Sequence, residues 1–462
     1  MTKARSIHQS SGRKLAVLAA AVLAAAASAA ASAPAASAAS APSGPLSAPP
    51  TTAQCEQLYR FACYQPDQIR AAYHLPALYK QGITGTGATI AIVDPFGSPT
   101  IRNDLATFDR RFGYPAPPSF KVIAPAGQIP AYNASNPAMV NGAGETTLDV
   151  EYAHALAPGA SILLVETPVD ETEGTTGFPQ IVAAEKYVVD HGLADVISQT
   201  SSATEQTFTS YQQLAPLRAA YLDAYAHGVS VVVDTGDSGV TGPAANGSYY
   251  PSPVTQWPSS DPLVTAVGGT RLTLTGGQFT SVAWNDTDNP AVNEFAAGDA
   301  GPNPAASGGG KSEFFARPSY QDGVKSVVGT QRGVPDISMS GACNGSADMY
   351  QSFAGQPAGW YPTCGTSEAT PEFAGIVALA SQLAGHPLGQ INPALYELSG
   401  EQAAGIVDVT TGNNTVEFPQ GGKLNTVLGF SARPGYDLAS GVGTVWAPLF
   451  VPELAFAATA LP

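Results

Sequence analysis

The sequence predicts an α/β fold built on a mostly parallel central sheet with helices on both faces. Short β-branched runs recur at 89–94 (T-I-A-I-V-D), 161–166, 195–200, 229–234 and 263–267. Segments with helical spacing separate them at about 101–112, 145–156, 177–191 and 211–226. Strands that are apolar throughout need cover on both faces, and their alternation with helices argues for parallel pairing. Two of the runs lead into acidic turns, Asp94-Pro95-Phe96-Gly97 and Thr235-Gly236-Asp237-Ser238-Gly239. In sheets of this kind the chemistry gathers beyond the carboxyl ends of the strands.

The ends of the chain read differently. Lys3, Arg5, Arg13 and Lys14 precede an Ala/Leu/Val stretch from Leu15 to about Ala31, and small-residue sites such as Ala36-Ser37-Ala38 follow. This pattern predicts a secretory signal peptide over 1–38 and a secreted, extracellular product. A membrane anchor fits less well, because the apolar run is short and no later segment approaches ~18 unbroken apolar residues. Residues 39–54, rich in Ala, Pro and Ser, read as a linker. From 55 to 462 no second break and no internal repeat occurs, which is the expectation for one domain.

Charged residues make up only 12% of the chain, and 36 acids face 20 bases. A nucleic-acid partner would need a basic stripe and is excluded. An acidic surface suits a protein that works in acid. The four cysteines form two close pairs in sequence, Cys55/Cys63 and Cys343/Cys364. An even count in an exported chain suggests two disulfides, with the connectivity open. Neither spacing matches a zinc site.

The string C-G-T-S-E-A-T-P-E-F-A-G, 364–375, is a small-residue turn opening into an apolar helix. A serine there, Ser367, would face the positive end of the helix dipole, where backbone N–H groups can stabilise a developing anion. Seen alone, the string would equally suit a helix cap. A nucleophilic serine needs a base, usually histidine. His8 falls in the leader, and His74, His154, His191, His227 and His386 lack the contexts of known triads, so surface or capping roles are expected for them.

A carboxylate can serve instead. In G-E-T-T-L-D-V-E-Y-A-H, 144–154, Glu145 and Asp149 stand four apart and share one helix face. Two acids that close cannot both ionise cheaply, so the pair should share a proton. A solvated acidic helix face, with Glu151 included, is the plainer alternative. Asp237 sits in a Gly-rich turn after a strand. Held neutral, it could donate a hydrogen bond to a tetrahedral oxyanion; otherwise it is an Asx-turn residue.

Taken together, Glu-x-x-x-Asp on a helix, G-D-S-G after a strand and G-T-S-x-x-x-P opening a helix resemble the sedolisins, or serine-carboxyl peptidases. The resemblance covers about 64–448. Intermediate strings agree, including A-L-A-P-G-A at 155–160, V-T-A-V-G-G-T at 264–270, S-G-G-G at 307–310 and V-P-D-I-S at 334–338. It implies a subtilisin-like fold and an endopeptidase working in acid on protein or peptide substrates. By position, Ser367 matches the nucleophile, Glu145 the general base, Asp149 its supporting carboxylate and Asp237 the oxyanion acid. Asp94 matches an acid that extends the network. The resemblance also implies one structural Ca2+ in a C-terminal loop. Asp408 and Asp437 would ligate through side chains, and Val409, Arg433 and Gly435 through carbonyls, with Arg433 where glycine is usual.

Two departures stand out. Ser201 and Ser202 occupy the places of the family's Trp-Gly, and the long N-terminal prodomain usual in the family is not evident between the expected leader and Cys55. They motivate an alternative from another class, a secreted pseudopeptidase that binds peptides or cell-surface polymers without turnover. A monomer with no membrane association after leader removal is expected in either case.

Overall fold

The computed structural model describes residues 45–400 and 404–460. The expected leader over 1–38 lies outside them, as does the first part of the 39–54 segment. From residue 45 that segment packs on the domain: Leu46 exchanges backbone hydrogen bonds with Trp360 at 3.0 and 2.9 Å. A short helix then begins at Thr52, capped by Thr51.

The core is an eight-stranded sheet. We number its strands β1 (Thr89–Pro95), β2 (Phe120–Ile123), β3 (Ser161–Thr167), β4 (Val196–Gln199), β5 (Ser230–Asp234), β6 (Thr265–Thr275), β7 (Gln278–Ala283) and β8 (Ile337–Ser340). They lie in the order β7-β6-β5-β4-β1-β3-β2, with β8 also paired to β6. All pairings are parallel except the β6–β7 hairpin, which turns at Gly276-Gly277. Two glycines with positive φ suit such a tight turn.

Side chains alternate between two cores, as the period of a strand requires. Ile90 and Ile92 of β1, with Ile162, Leu164 and Val232, enter one. Ala91 and Val93, with Leu163, Val165, Val231 and Val233, enter the other. The first core is closed by α1 (Ile101–Phe112), α2 (Pro137–Leu156), α5 (Thr366–Ala384) and α6 (Ala447–Ala460). The second is closed by α3 (Phe178–Asp190) and α4 (Ala219–His227). Each fully buried aliphatic or aromatic side chain contributes roughly 1.5–3 kcal/mol, which is why a two-sided sheet this apolar folds around its centre.

Three expected elements differ in extent. The helix placed at 145–156 begins at Pro137, because Asn141, Gly142 and Gly144 weaken the helical signal without stopping the helix. The helix placed at 211–226 is interrupted: Pro216 lacks an N–H, and 215–218 is a 3-10 turn before α4. The strand at 263–267 starts at Thr265 and continues through Gly268-Gly269 to Thr275. The two disulfides are Cys55–Cys63 and Cys343–Cys364. The second ties the residue three before Ser367 to the loop after β8.

Candidate active site

The carboxyl ends of β1, β4 and β5 converge beneath two helices. Asp94 lies near the end of β1, Thr200 just after β4, and Asp234 ends β5. Helix α2 crosses these ends. It is started by Asn136, whose side chain accepts the Ala138 N–H at 3.1 Å, with Pro137 in the first turn. At Gly142 a Cβ would come within 2.8 Å of the Pro95 carbonyl, so the absence of a side chain lets α2 sit directly on β1. That contact places Glu145 and Asp149, one turn apart, over Asp94.

The Thr200 hydroxyl donates to Oδ2 of Asp149 at 2.9 Å. Asp94 is fully buried beside Thr146 and Thr200. Burial pushes its pKa up to about 7; the Thr146 hydroxyl pulls it back and Glu166 adds to the rise. Burial likewise lifts Glu145 well above the carboxylate range. The Ser367 hydroxyl beside it acts in the opposite sense, and Asp94, Asp237 and Asp234 push it further up. Asp149 is raised well above its ordinary value by burial, then by Asp94 and Glu145. Burial is the first cause at both acids, and Asp94 adds to the rise at each.

The opposite wall is the turn after β5. Oδ2 of Asp234 accepts the Gly236 N–H at 2.9 Å and the Ser202 hydroxyl at 3.2 Å, which closes the turn and sets the direction of Asp237. Helix α5 begins one residue after Gly365, which has φ +132° and would bring a Cβ to 2.8 Å from Oδ2 of Asp237. Only glycine fits there. The Thr366 N–H and hydroxyl both donate to Oδ1 of Asp237, at 2.7 and 2.9 Å. Burial raises the Asp237 pKa against these two donors. Asp234 is pushed up to about 7 by burial and by Asp237. Ser367, 2% exposed, follows Thr366 at the helix N-terminus, between Glu145 and Asp237.

Ser367, Glu145, Asp149, Asp237 and Asp94 therefore meet in one site. Sequence reasoning missed Asp234, Thr200 and Thr366. The run V-V-V-D ends in an acid at the carboxyl end of a strand, the same signal that marks Asp94, and would have identified Asp234. Ser202 takes part through Asp234, and Ser201 is buried beside it, its carbonyl accepting from the Gln199 amide at 2.8 Å.

The five histidines among the described residues lie elsewhere; His8 is outside them. His191 and His227 bond carbonyls one turn back, and His386 bonds the Pro387 carbonyl. His74 stacks on Trp446. The expectation of surface or capping roles fails for His154, which is fully buried, pairs with Asp109 at 3.3 Å and bonds the Pro115 carbonyl at 2.8 Å. Its helix faces protein on all sides at that turn, and the Asp109 carboxylate compensates its burial.

The C-terminal loops bring the implied calcium ligands together. The Gly435 N–H donates to Oδ2 of Asp408 and the Arg433 N–H to Oδ2 of Asp437, each at 2.8 Å. The Ser440 hydroxyl reaches the Val409 carbonyl at 3.4 Å. Oδ1 of Asp437 also accepts the Ala439 and Ser440 N–H groups, each at 2.9 Å, and Arg433 is exposed.

The subtilase family profile matches residues 124–422. Kumamolisin from Bacillus sp. (strain MN-32) is 30% identical over 390 residues, covering 82% of this chain and 62% of that protein. Sedolisin from Pseudomonas sp. (strain 101) is 30% identical over 310 residues, covering 66% and 48%. Among solved structures, Pseudomonas sedolisin, a serine-carboxyl proteinase complexed with two molecules of pseudo-iodotyrostatin, superposes with a TM-score of 0.68 at 25% identity, covering 87% of this chain and 98% of that one. The chain belongs to the subtilase family and, within it, to the sedolisins. It spans 62% and 48% of the length of these two curated relatives.

Proposed function

We propose that this chain is a secreted serine-carboxyl endopeptidase that hydrolyses peptide bonds in acid. The observation that carries the reading is the position of Ser367, at a helix N-terminus between two carboxyls whose pKa values are both raised, Glu145 on one side and Asp237 on the other. Each histidine among the described residues is engaged elsewhere.

In the proposed reaction the Ser367 Oγ attacks the scissile carbonyl while its proton passes to Glu145, and Asp149, fixed by Thr200, buffers the charge on Glu145. Asp237 stays protonated and donates to the tetrahedral oxyanion. As the intermediate collapses, Glu145 returns the proton to the leaving amine and an acyl-enzyme remains on Ser367. Water then repeats the cycle, giving its proton to Glu145 and its oxygen to the acyl carbon. The sign of the pH dependence follows from the oxyanion acid. Asp237 must be neutral, and burial raises its pKa as it does those of its neighbours Asp94 and Asp234. The rate should therefore fall as pH rises toward neutrality.

Asp408, Asp437 and the carbonyls of Val409, Arg433 and Gly435 would hold one Ca2+, whose contribution is to neutralise the two carboxylates and fix the C-terminal loops. Signal-directed export fits the two disulfides. Among the described residues, no helix is long and apolar enough to cross a membrane. The substrates are proteins or peptides and the working unit is a monomer. Incubating denatured protein with wild-type chain and with Ser367→Ala at pH 4 tests the assignment: acid cleavage by the first and none by the second is expected, and equal cleavage by both would refute it.

A further inference from the structure

Helix α5 carries two carboxyls that the chemistry above does not use. Glu368 follows Ser367 and Glu372 lies one turn on; both are fully buried. Neither has a hydrogen-bond partner within bonding distance on either oxygen, and neither forms an ion pair among the described residues.

The groups that face them share this character. Tyr73, buried, accepts the Ser340 N–H at 2.6 Å and lies beside Glu372 and Glu368. Ser340, at the end of β8, and Ala347 lie against Glu368. From α2 come Tyr152 and Glu151, both fully buried; the Tyr152 hydroxyl donates to the Asp348 carbonyl at 3.0 Å. Asp348, also fully buried, stands on the strand Ser346–Gln351. Glu151 accepts the Tyr350 N–H at 3.1 Å, and Asp104 and Asp109 of α1 lie beyond it. From α6 comes Phe450, against Phe373. The acids Glu145, Asp234 and Asp237 surround the first turn of the same helix. On α2 itself, His154 lies against Asp109.

A buried carboxyl with no cation and no strong donor is stable only when neutral. Burial raises Glu368 and Glu372 well above the carboxylate range, outweighing the Ser340 hydroxyl and Ala347 N–H near Glu368 and the Tyr73 hydroxyl and Ser340 N–H near Glu372, and Glu368 adds to the rise at Glu372. We propose that Glu368 and Glu372 are positioning residues whose neutral side chains dock the first two turns of the nucleophile helix against β8 and Tyr73. Their ionisation sets the upper pH at which Ser367 is held in register. This rests on Ser367 being the nucleophile.

Linkage gives the sign. A glutamate in the unfolded chain titrates near ~4.3, so below that pH both states are protonated and the docking is intact. As pH rises further, the unfolded chain releases a proton that the folded chain retains. Each such glutamate then multiplies the unfolding constant by about tenfold per pH unit until the folded group itself ionises.

The test uses denaturant unfolding of the full chain between pH 5 and pH 7 in a Ser367→Ala background, which cannot digest itself. Glutamine keeps the shape of a neutral glutamate and cannot ionise. In the Glu368→Gln/Glu372→Gln variant, the unfolding constant should climb about a hundredfold less per pH unit than in the parent. Parallel slopes would overturn the proposal. If the double variant does not fold, Glu372→Gln alone should reduce the slope by about tenfold per pH unit, and an unchanged slope is again contrary. These unfolding slopes need no turnover, so they are independent of the peptidase reading. With Ser367 restored, the alkaline limb of kcat should move up by about one pH unit in the glutamine variant at unchanged KM; an unmoved limb would show that catalytic acids alone set the limit.

Discussion

Thr366 directs two donors, its N–H and its hydroxyl, at a single oxygen of Asp237. That pair joins the turn after β5 to the start of α5, so the proposed oxyanion acid and the proposed nucleophile Ser367 are held by one local contact. A carboxyl that accepts two bonds at Oδ1 is fixed in orientation, and its proton belongs on the other oxygen.

Asp237→Asn preserves size and much of this contact while replacing the acid proton with an amide donor. Removing an oxyanion donor costs roughly 10²–10³ in rate. Asp237→Ala should lose at least that much kcat with an unchanged circular-dichroism spectrum, and Asp237→Asn should retain more activity than Asp237→Ala. Ordinary turnover in Asp237→Ala would make the turn purely structural.

The Thr200 hydroxyl lowers the pKa of Asp149 through its bond to Oδ2. In Thr200→Val the carboxyl loses that stabilisation, so the Glu145/Asp149 pair takes up its proton at higher pH. The acid limb of kcat/KM should shift upward by about one pH unit, the size expected for one hydrogen bond to a charged group. Steady-state kinetics from pH 2.5 to pH 6 would detect it, and a limb that stayed in place would remove Asp149 from the proton-sharing pair.

Chelation bears on the C-terminal loops alone. Asp408 and Asp437 accept the Gly435 and Arg433 N–H groups of one loop, and the proposed Ca2+ would neutralise both carboxylates. EDTA should lower the thermal midpoint by several degrees, and Asp437→Ala should abolish the calcium dependence of that midpoint. A midpoint indifferent to chelator and to added Ca2+ would count against the site.

Much of this was legible in the sequence because it rests on local pattern. The strand runs are strongly β-branched, and Glu145, Asp149, Asp237 and Ser367 each sit in a string whose spacing carries the chemistry. What was not legible is tertiary. The V-V-V-D run marks Asp234 as a strand-end acid, but only the fold puts it beside Ser202 and Thr366. Thr200 becomes a partner of Asp149 when β4 lies next to β1 under α2. His154 reads as an exposed helix residue until α1 covers it with Asp109. The burial of Glu368 and Glu372 contradicts their composition, since two glutamates one turn apart on a helix usually mark its wet face.

The central claim is that a carboxylate, and no histidine, activates Ser367. The most direct measurement is kcat/KM on a peptide substrate from pH 3 to pH 8 for wild type, Glu145→Gln and His154→Gln. The account predicts an acid optimum for wild type, a loss of roughly 10²–10⁴ for Glu145→Gln at that optimum, and retention of the acid profile in folded His154→Gln. A wild-type rate that climbs through neutrality, with Glu145→Gln active and His154→Gln dead, would contradict it.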